Sequence, residues 1–222
     1  MNPASTRPGD PVFEGAFGPY TITERDRREV LSYRLALGAV AVAQLGLLGQ
    51  WWLAGPAFAW PWLPVMALGL GLALRWIHIY LIPLHRALQL LWLLGCIGAT
   101  ALAVRVGPDQ LLATVAAQPL WLLAVGPFFA ALTGVGFKEF FCFRRAEAIG
   151  VTLLLPLALL GRLSGLLAGP PCFALLLAAS VLLLILTLRK LPMEAAADVG
   201  DKSVFEELER RRRGAGDRGT AP

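Results

Sequence analysis

The sequence is short of charge. Only 16% of its 222 residues are Asp, Glu, Lys or Arg, where a soluble globular domain carries about 25%. It has little chemistry-bearing sulfur or imidazole either: three cysteines and two histidines. Cys96, Cys142 and Cys172 are widely spaced and odd in number, so neither a disulfide framework nor a Cys-x-x-Cys metal knuckle is expected. No GxSxG, HExxH, P-loop or dinucleotide fingerprint occurs, so no catalytic residue, cofactor or metal site is assigned. The first 30 residues hold no apolar run, so no cleavable signal peptide is expected. What is abundant is apolar: 57% of the chain. Together these exclude a disordered protein, a soluble enzyme and a small secreted disulfide domain. They leave an all-α, polytopic membrane helical bundle.

The few charges are unevenly placed. Residues 35–188 contain ten, namely Arg75, Arg86, Arg105, Asp109, Lys138, Glu139, Arg144, Arg145, Glu147 and Arg162. The rest lie in the two ends, so the net charge of +5 is no basic face for nucleic acid. The organisation predicted is a polar N-terminal tail (1–23), a membrane domain (24–190) and a polar C-terminal tail (191–222). About six spans are expected, at 33–54, 57–77, 87–104, 119–137, 148–167 and 172–189, since roughly 20 apolar residues cross the hydrocarbon. Residues 105–118 read as an interfacial segment or an early start to the fourth span. Six spans put both tails, and the connections after the second and fourth spans, on one side. That side holds 18 of the 20 Lys and Arg residues, leaving Arg105 and Arg162 opposite. The positive-inside rule then predicts cytoplasmic (or stromal) termini, in a plasma or thylakoid-type membrane. Trp51, Trp52, Trp60, Trp62 and Trp121 fall at the opposite interface, as an aromatic belt should.

Local signals refine the ends. Thr23 ahead of Glu24, Asp26 and Glu29 reads as an N-cap with acids in the first turn, and Arg34 is expected to snorkel to the inner surface. Ser203 and Glu206 have capping-box spacing, predicting a short helix over 203–213 with disorder beyond Gly214. Gly126, Ala130 and Gly134, Gly161 and Gly165, and Gly95 and Ala99 have the spacing of small-residue helix seams.

Two stretches stand out, Arg75–Arg86 and Phe137–Glu147. The predicted topology brings Arg75, His78, Tyr80, His85, Arg86, Lys138, Glu139, Cys142, Arg144, Arg145 and Glu147 to the tail-side face. The leading reading is a non-enzymatic surface that binds lipid headgroups or a partner protein, in the assembly or maintenance of a membrane complex. A small transporter or channel is one alternative. A metal- or haem-binding redox protein using His78, His85 and Cys142 is another, although Pro83 should break the helical register of the two histidines.

The same stretches carry a resemblance. Phe17–Thr23, Arg27–Leu31, Tyr33-Arg34, His78-Ile-Tyr80, Leu84-His85-Arg86, Lys138-Glu139, Phe141-Cys142-Phe143, Glu147-Ala148, Leu154-Leu155-Pro156 and Gly161 resemble an uncharacterised integral membrane protein family of cyanobacteria and plastids. The resemblance covers about residues 17–190. It implies a multi-span protein of photosynthetic organisms and carries no activity.

Overall fold

The computed structural model describes residues 10–205, 207, 208, 210 and 211. The disorder expected beyond Gly214 lies outside them. The chain opens with a hairpin of β1 (Val12–Gly15) and β2 (Gly18–Thr21), pairing Val12 with Thr21 and Gly15 with Gly18. The α-helices that follow among the described residues include α1 Glu24–Ala54, α2 Trp62–Trp76, α3 Ile82–Val106, α4 Pro108–Ala117, α5 Leu122–Phe143, α6 Ala146–Leu163, α7 Gly169–Lys190 and α8 Ala195–Val199. The all-α membrane bundle is therefore correct for the spanning part, with a small hairpin the sequence reading did not anticipate.

The ends of α1 follow local chemistry. Thr23 accepts from the Asp26 amide, and the Asp26 carboxylate accepts from the Thr23 amide at 2.8 Å, so two orphan donors are satisfied reciprocally. Gly55, at φ 89°, ends the helix in a conformation that a side chain would resist. Within residues 105–118, ambiguous in the sequence, Pro108–Ala117 forms a separate helix, α4, while Arg105 and Val106 end α3. Gly107 at φ 89° divides it from α3, and Pro119 begins a 3-10 turn beyond it.

Among the described residues five helices are long and apolar enough to cross a membrane: α1, α3, α5 with its preceding turn, α6 and α7. The second expected span, 57–77, is represented by α2, which has only 15 residues, or about 22 Å of helix against a hydrocarbon core of about 30 Å. The six nevertheless pack as a ring in the order α1, α2, α3, α5, α6, α7, with α7 returning to α1. Leu37, Val40, Leu70, Leu132, Leu155 and Leu183 fill its interior. The outer surface remains apolar: Leu90, Leu93, Leu94 and Ile97 on α3 and Leu153, Leu157 and Leu160 on α6 are exposed. Only 17% of the spanning window of α3 is buried, so most of that helix faces outward, and an apolar face of this extent belongs against lipid.

The two tails fold together at one end of the ring. Ile22, Val30 and Val199 form a second small core with Phe13, Tyr20, Ala195 and Ala196. The Asp201 carboxylate accepts the Ala16 amide at 2.7 Å and the Ser203 amide at 3.0 Å. Asp201 therefore caps the segment that is helical from residue 202, where Ser203 was expected to do so; Glu206, the other half of the expected box, lies outside the described residues. Gly15 is dictated by this contact, because a Cβ there would sit 2.4 Å from both Asp201 Oδ1 and Ser203 Oγ.

The small-residue seams are partly as expected. A Cβ on Gly95 would lie 2.3 Å from the Phe128 nitrogen, and one on Gly98 would lie 2.1 Å from the Ala124 carbonyl oxygen. The α3–α5 contact is thus a backbone-to-backbone approach running through Gly95 and Gly98. Gly126, by contrast, faces open space. Gly165 lies past the end of α6 at φ 75° with open space beside it, so it serves a turn and no seam.

Candidate functional site

The tail-side end of the bundle gathers the start of α1, the α2–α3 and α5–α6 connections, the end of α7, and α8. Contacts between distant segments fix this: Tyr33 meets Glu139, Arg34 meets Asp198, and Glu147 meets Arg189. Two layers result, a buried ionic network and an exposed basic rim.

The network begins with consecutive residues of α5. Glu139 is fully buried and Lys138 is 6% exposed. The Tyr33 hydroxyl donates to Glu139 Oε1 at 2.6 Å, Lys138 Nζ donates to the same oxygen at 3.1 Å, and Lys190 Nζ donates to Glu139 Oε2. Lys190 also bonds Asp198. Asp198 in turn accepts from Arg34 Nε at 2.8 Å, and Arg34 donates to the Met193 carbonyl at 2.6 Å and the Glu194 carbonyl at 3.0 Å. Arg34 therefore does not snorkel: it is 5% exposed and paired. A guanidinium fork that finds a carboxylate and two carbonyls has no need of the headgroup region. Three cations face two carboxylates here, and the surplus charge meets aromatic faces: Lys190 Nζ lies 4.2 Å from the Phe143 ring centroid and Lys138 Nζ lies 5.5 Å from that of Tyr33. Such contacts favour a desolvated ammonium.

Asp198, outside the spans, reports on this network. Burial would push its carboxyl up, but Lys190, Lys138 and the hydrogen bonds from Lys190 and Arg34 hold it below the usual carboxylate range. A carboxyl depressed on folding contributes stability that is complete above its unfolded value of about 3.9 and is lost as pH falls through the folded value. Thermal melts of the purified protein on acidification should show that loss. The Asp198→Asn variant should start less stable and have a shallower acid limb; an unchanged limb would separate Asp198 from the acid response.

The remaining predicted residues divide. Arg75, Arg86 and Arg144 are exposed, and no ion pair is formed by any of them among the described residues. Arg144 adopts φ 49° as the left-handed cap of α5, a conformation that costs a non-glycine residue roughly 1–2 kcal/mol. Arg145 donates to the Met193 sulfur at 3.1 Å. Glu147 is buried and pairs with Arg189. Tyr80 stacks on Phe205 with centroids 4.6 Å apart, tying the α2–α3 connection to the C-terminal tail.

The two histidines part company. His85 Nε2 lies 2.6 Å from the Leu74 carbonyl, one of the four that the end of α2 leaves open. His78 precedes α3, packs against Phe205 and lies 4.0 Å from Glu29. Burial holds it below the ordinary histidine range, against the pull of Glu29. Pro83 in the first turn of α3 accounts for the broken register. Among the described residues the one group with metal-ligand proximity joins His78 to Asp26 and Glu29, not to His85 and Cys142, and Asp26 already holds the Lys202 ammonium at 2.6 Å. Sequence reasoning missed Tyr33, Lys190 and Asp198, which complete the network. Lys190 and Asp198 showed only as charges just outside the spans, and Tyr33 only within the Tyr33-Arg34 pair of the resemblance.

Residues 72–207 match the family described as Uncharacterized integral membrane protein (DUF2301), a span of more than half the chain. The chain belongs to this family. It is a multi-pass integral membrane protein. The family match begins within α2 and extends past α8, so it starts later and ends later than the 17–190 range of the resemblance. It includes Lys138, Glu139, Lys190 and Asp198; Tyr33 and Arg34 lie before it. Neither the curated proteins nor the solved structures provide a match.

Proposed function

We propose that this DUF2301 protein is a non-enzymatic membrane protein whose tail-side face, turned to the cytoplasm or stroma, holds anionic lipid headgroups in the assembly or maintenance of a membrane complex. One observation carries the reading: Arg75, Arg86 and Arg144 stand exposed at one end of the bundle without carboxylate partners among the described residues, while the cations beneath them are paired. Guanidinium forks left open at a membrane interface match phosphate geometry. The buried network below fixes the helix ends that carry them.

Each basic residue at an anionic surface is worth about 1 kcal/mol, or roughly fivefold in preference. Protein purified from mixed anionic and zwitterionic membranes should retain anionic lipid preferentially, as read by mass spectrometry. The Arg75→Gln/Arg86→Gln/Arg144→Gln variant should lose most of that enrichment while melting at an unchanged temperature, and raised salt should weaken the wild-type preference. Equal enrichment in both proteins would overturn the reading. Loss of a co-purifying acidic protein, with lipid unchanged, would move the function from lipid to partner docking.

A further inference from the structure

At the end of the bundle away from the tails, the helices line a half-open cavity of about 700 Å³. Small-molecule sites occupy about 300–1,000 Å³. Its wall is mainly apolar, with Met66 and Phe128 deep inside and Val104, on the outward face of α3, at its edge. Gln44, Thr100 and Arg162 interrupt it, beside the thiols of Cys96 and Cys172. Gln44 is 3% exposed, and its Oε1 has no hydrogen-bond partner among the described residues. Burying such a group unsatisfied costs on the order of 1–3 kcal/mol, which makes an isolated amide in an apolar wall a recognition group for a donor. Arg162, at the end of α6, donates to the Ala116 carbonyl at 2.8 Å. No carboxylate pairs with it among the described residues, so the rest of its fork is open to an anion.

We propose that this cavity binds a long-chain amphiphile with an anionic head at Arg162, an apolar chain along the wall, and a hydroxyl that donates to Gln44. The chemical class is that of a hydroxylated long-chain carboxylate entering from the bilayer past α3. The site is independent of the arginine face at the other end.

The test titrates nanodisc-embedded protein with hexadecanoate, ω-hydroxyhexadecanoate and hexadecanol, with calorimetric detection. The hydroxy acid should bind about tenfold tighter than hexadecanoate, the value of one hydrogen bond to an otherwise unmet group. Gln44→Leu should erase that preference, keep hexadecanoate binding and melt no lower than wild type. Arg162→Gln should weaken both acids about tenfold and leave hexadecanol unchanged, and Arg162→Lys should restore the acids. Should Arg162→Gln fail to fold, Arg162→Lys and Gln44→Leu still decide. Equal binding of the two acids by wild type, a preference that survives Gln44→Leu, or no binding of any probe would overturn the proposal.

Discussion

Replacing Glu139 by leucine is expected to cost about 3–5 kcal/mol of stability, the usual penalty for removing one partner of a buried ion pair. Glu139 is the point where Tyr33, Lys138 and Lys190 converge. Without it two ammonium groups remain in a site that is closed to water: Lys138 is 6% and Lys190 1% exposed. Their other favourable contacts, with Asp198 and the rings of Tyr33 and Phe143, cannot neutralise both. The Glu147→Gln variant is the matched comparison. Its partner Arg189 has a side chain 59% exposed, so water replaces the lost contact and the cost should be about 1 kcal/mol or less. Pairing Glu139→Leu with Lys190→Met should recover part of the loss, since an apolar pair carries no desolvation penalty. Reversible denaturation of the four proteins in one detergent reads all three outcomes. A Glu139→Leu protein as stable as Glu147→Gln would show that the network bears little of the fold.

The Gly98→Ala substitution should be nearly as damaging, at about 3 kcal/mol, the upper part of the usual range for overpacking. The added methyl would stand 2.1 Å from the carbonyl oxygen of Ala124 and 2.7 Å from its carbonyl carbon. Both are backbone atoms of α5, so no rotamer change relieves the clash and the two helices must separate. In lipid, close helix packing replaces the hydrophobic drive that holds soluble bundles together, so separation forfeits much of what joins α3 to α5. Gly126→Ala is the control on the same helix pair: it meets nothing within 4 Å and gains up to about 1 kcal/mol of helix propensity. Equal melting temperatures for the two variants would remove the close-approach account of this seam.

What the sequence disclosed and what it hid have a common cause. Hydrophobic run length located α1, α3, α5, α6 and α7, because the bilayer imposes length on any span. It overstated α2, where Trp60 and Pro61 extend the apolar run but lie before the helix starts at Trp62. Small-residue spacing singled out Gly95 but could not separate it from Gly126, because period alone does not say which face meets a neighbour. The gathering of polar residues at one end of the bundle was legible from span alternation. Their division was not: Arg34 and Arg144 look alike as letters. Only the return of α8 over the end of α1 supplies Asp198 to the first and leaves the second open. The hairpin was hidden because its four-residue strands gain their support from Asp201 and Ser203, more than 180 positions away.

Headgroup binding by the arginine face depends on the side of the membrane to which that face is turned, because anionic lipid is concentrated on the cytoplasmic leaflet. Cys142 is exposed on that face, whereas Cys172 is buried and Cys96 half-buried within the helices. A membrane-impermeant maleimide should therefore leave the protein unlabelled in intact cells and label Cys142 in inverted vesicles, with the Cys142→Ser variant unlabelled in both. Labelling of Cys142 from outside intact cells would place the arginines on the wrong side and contradict the account.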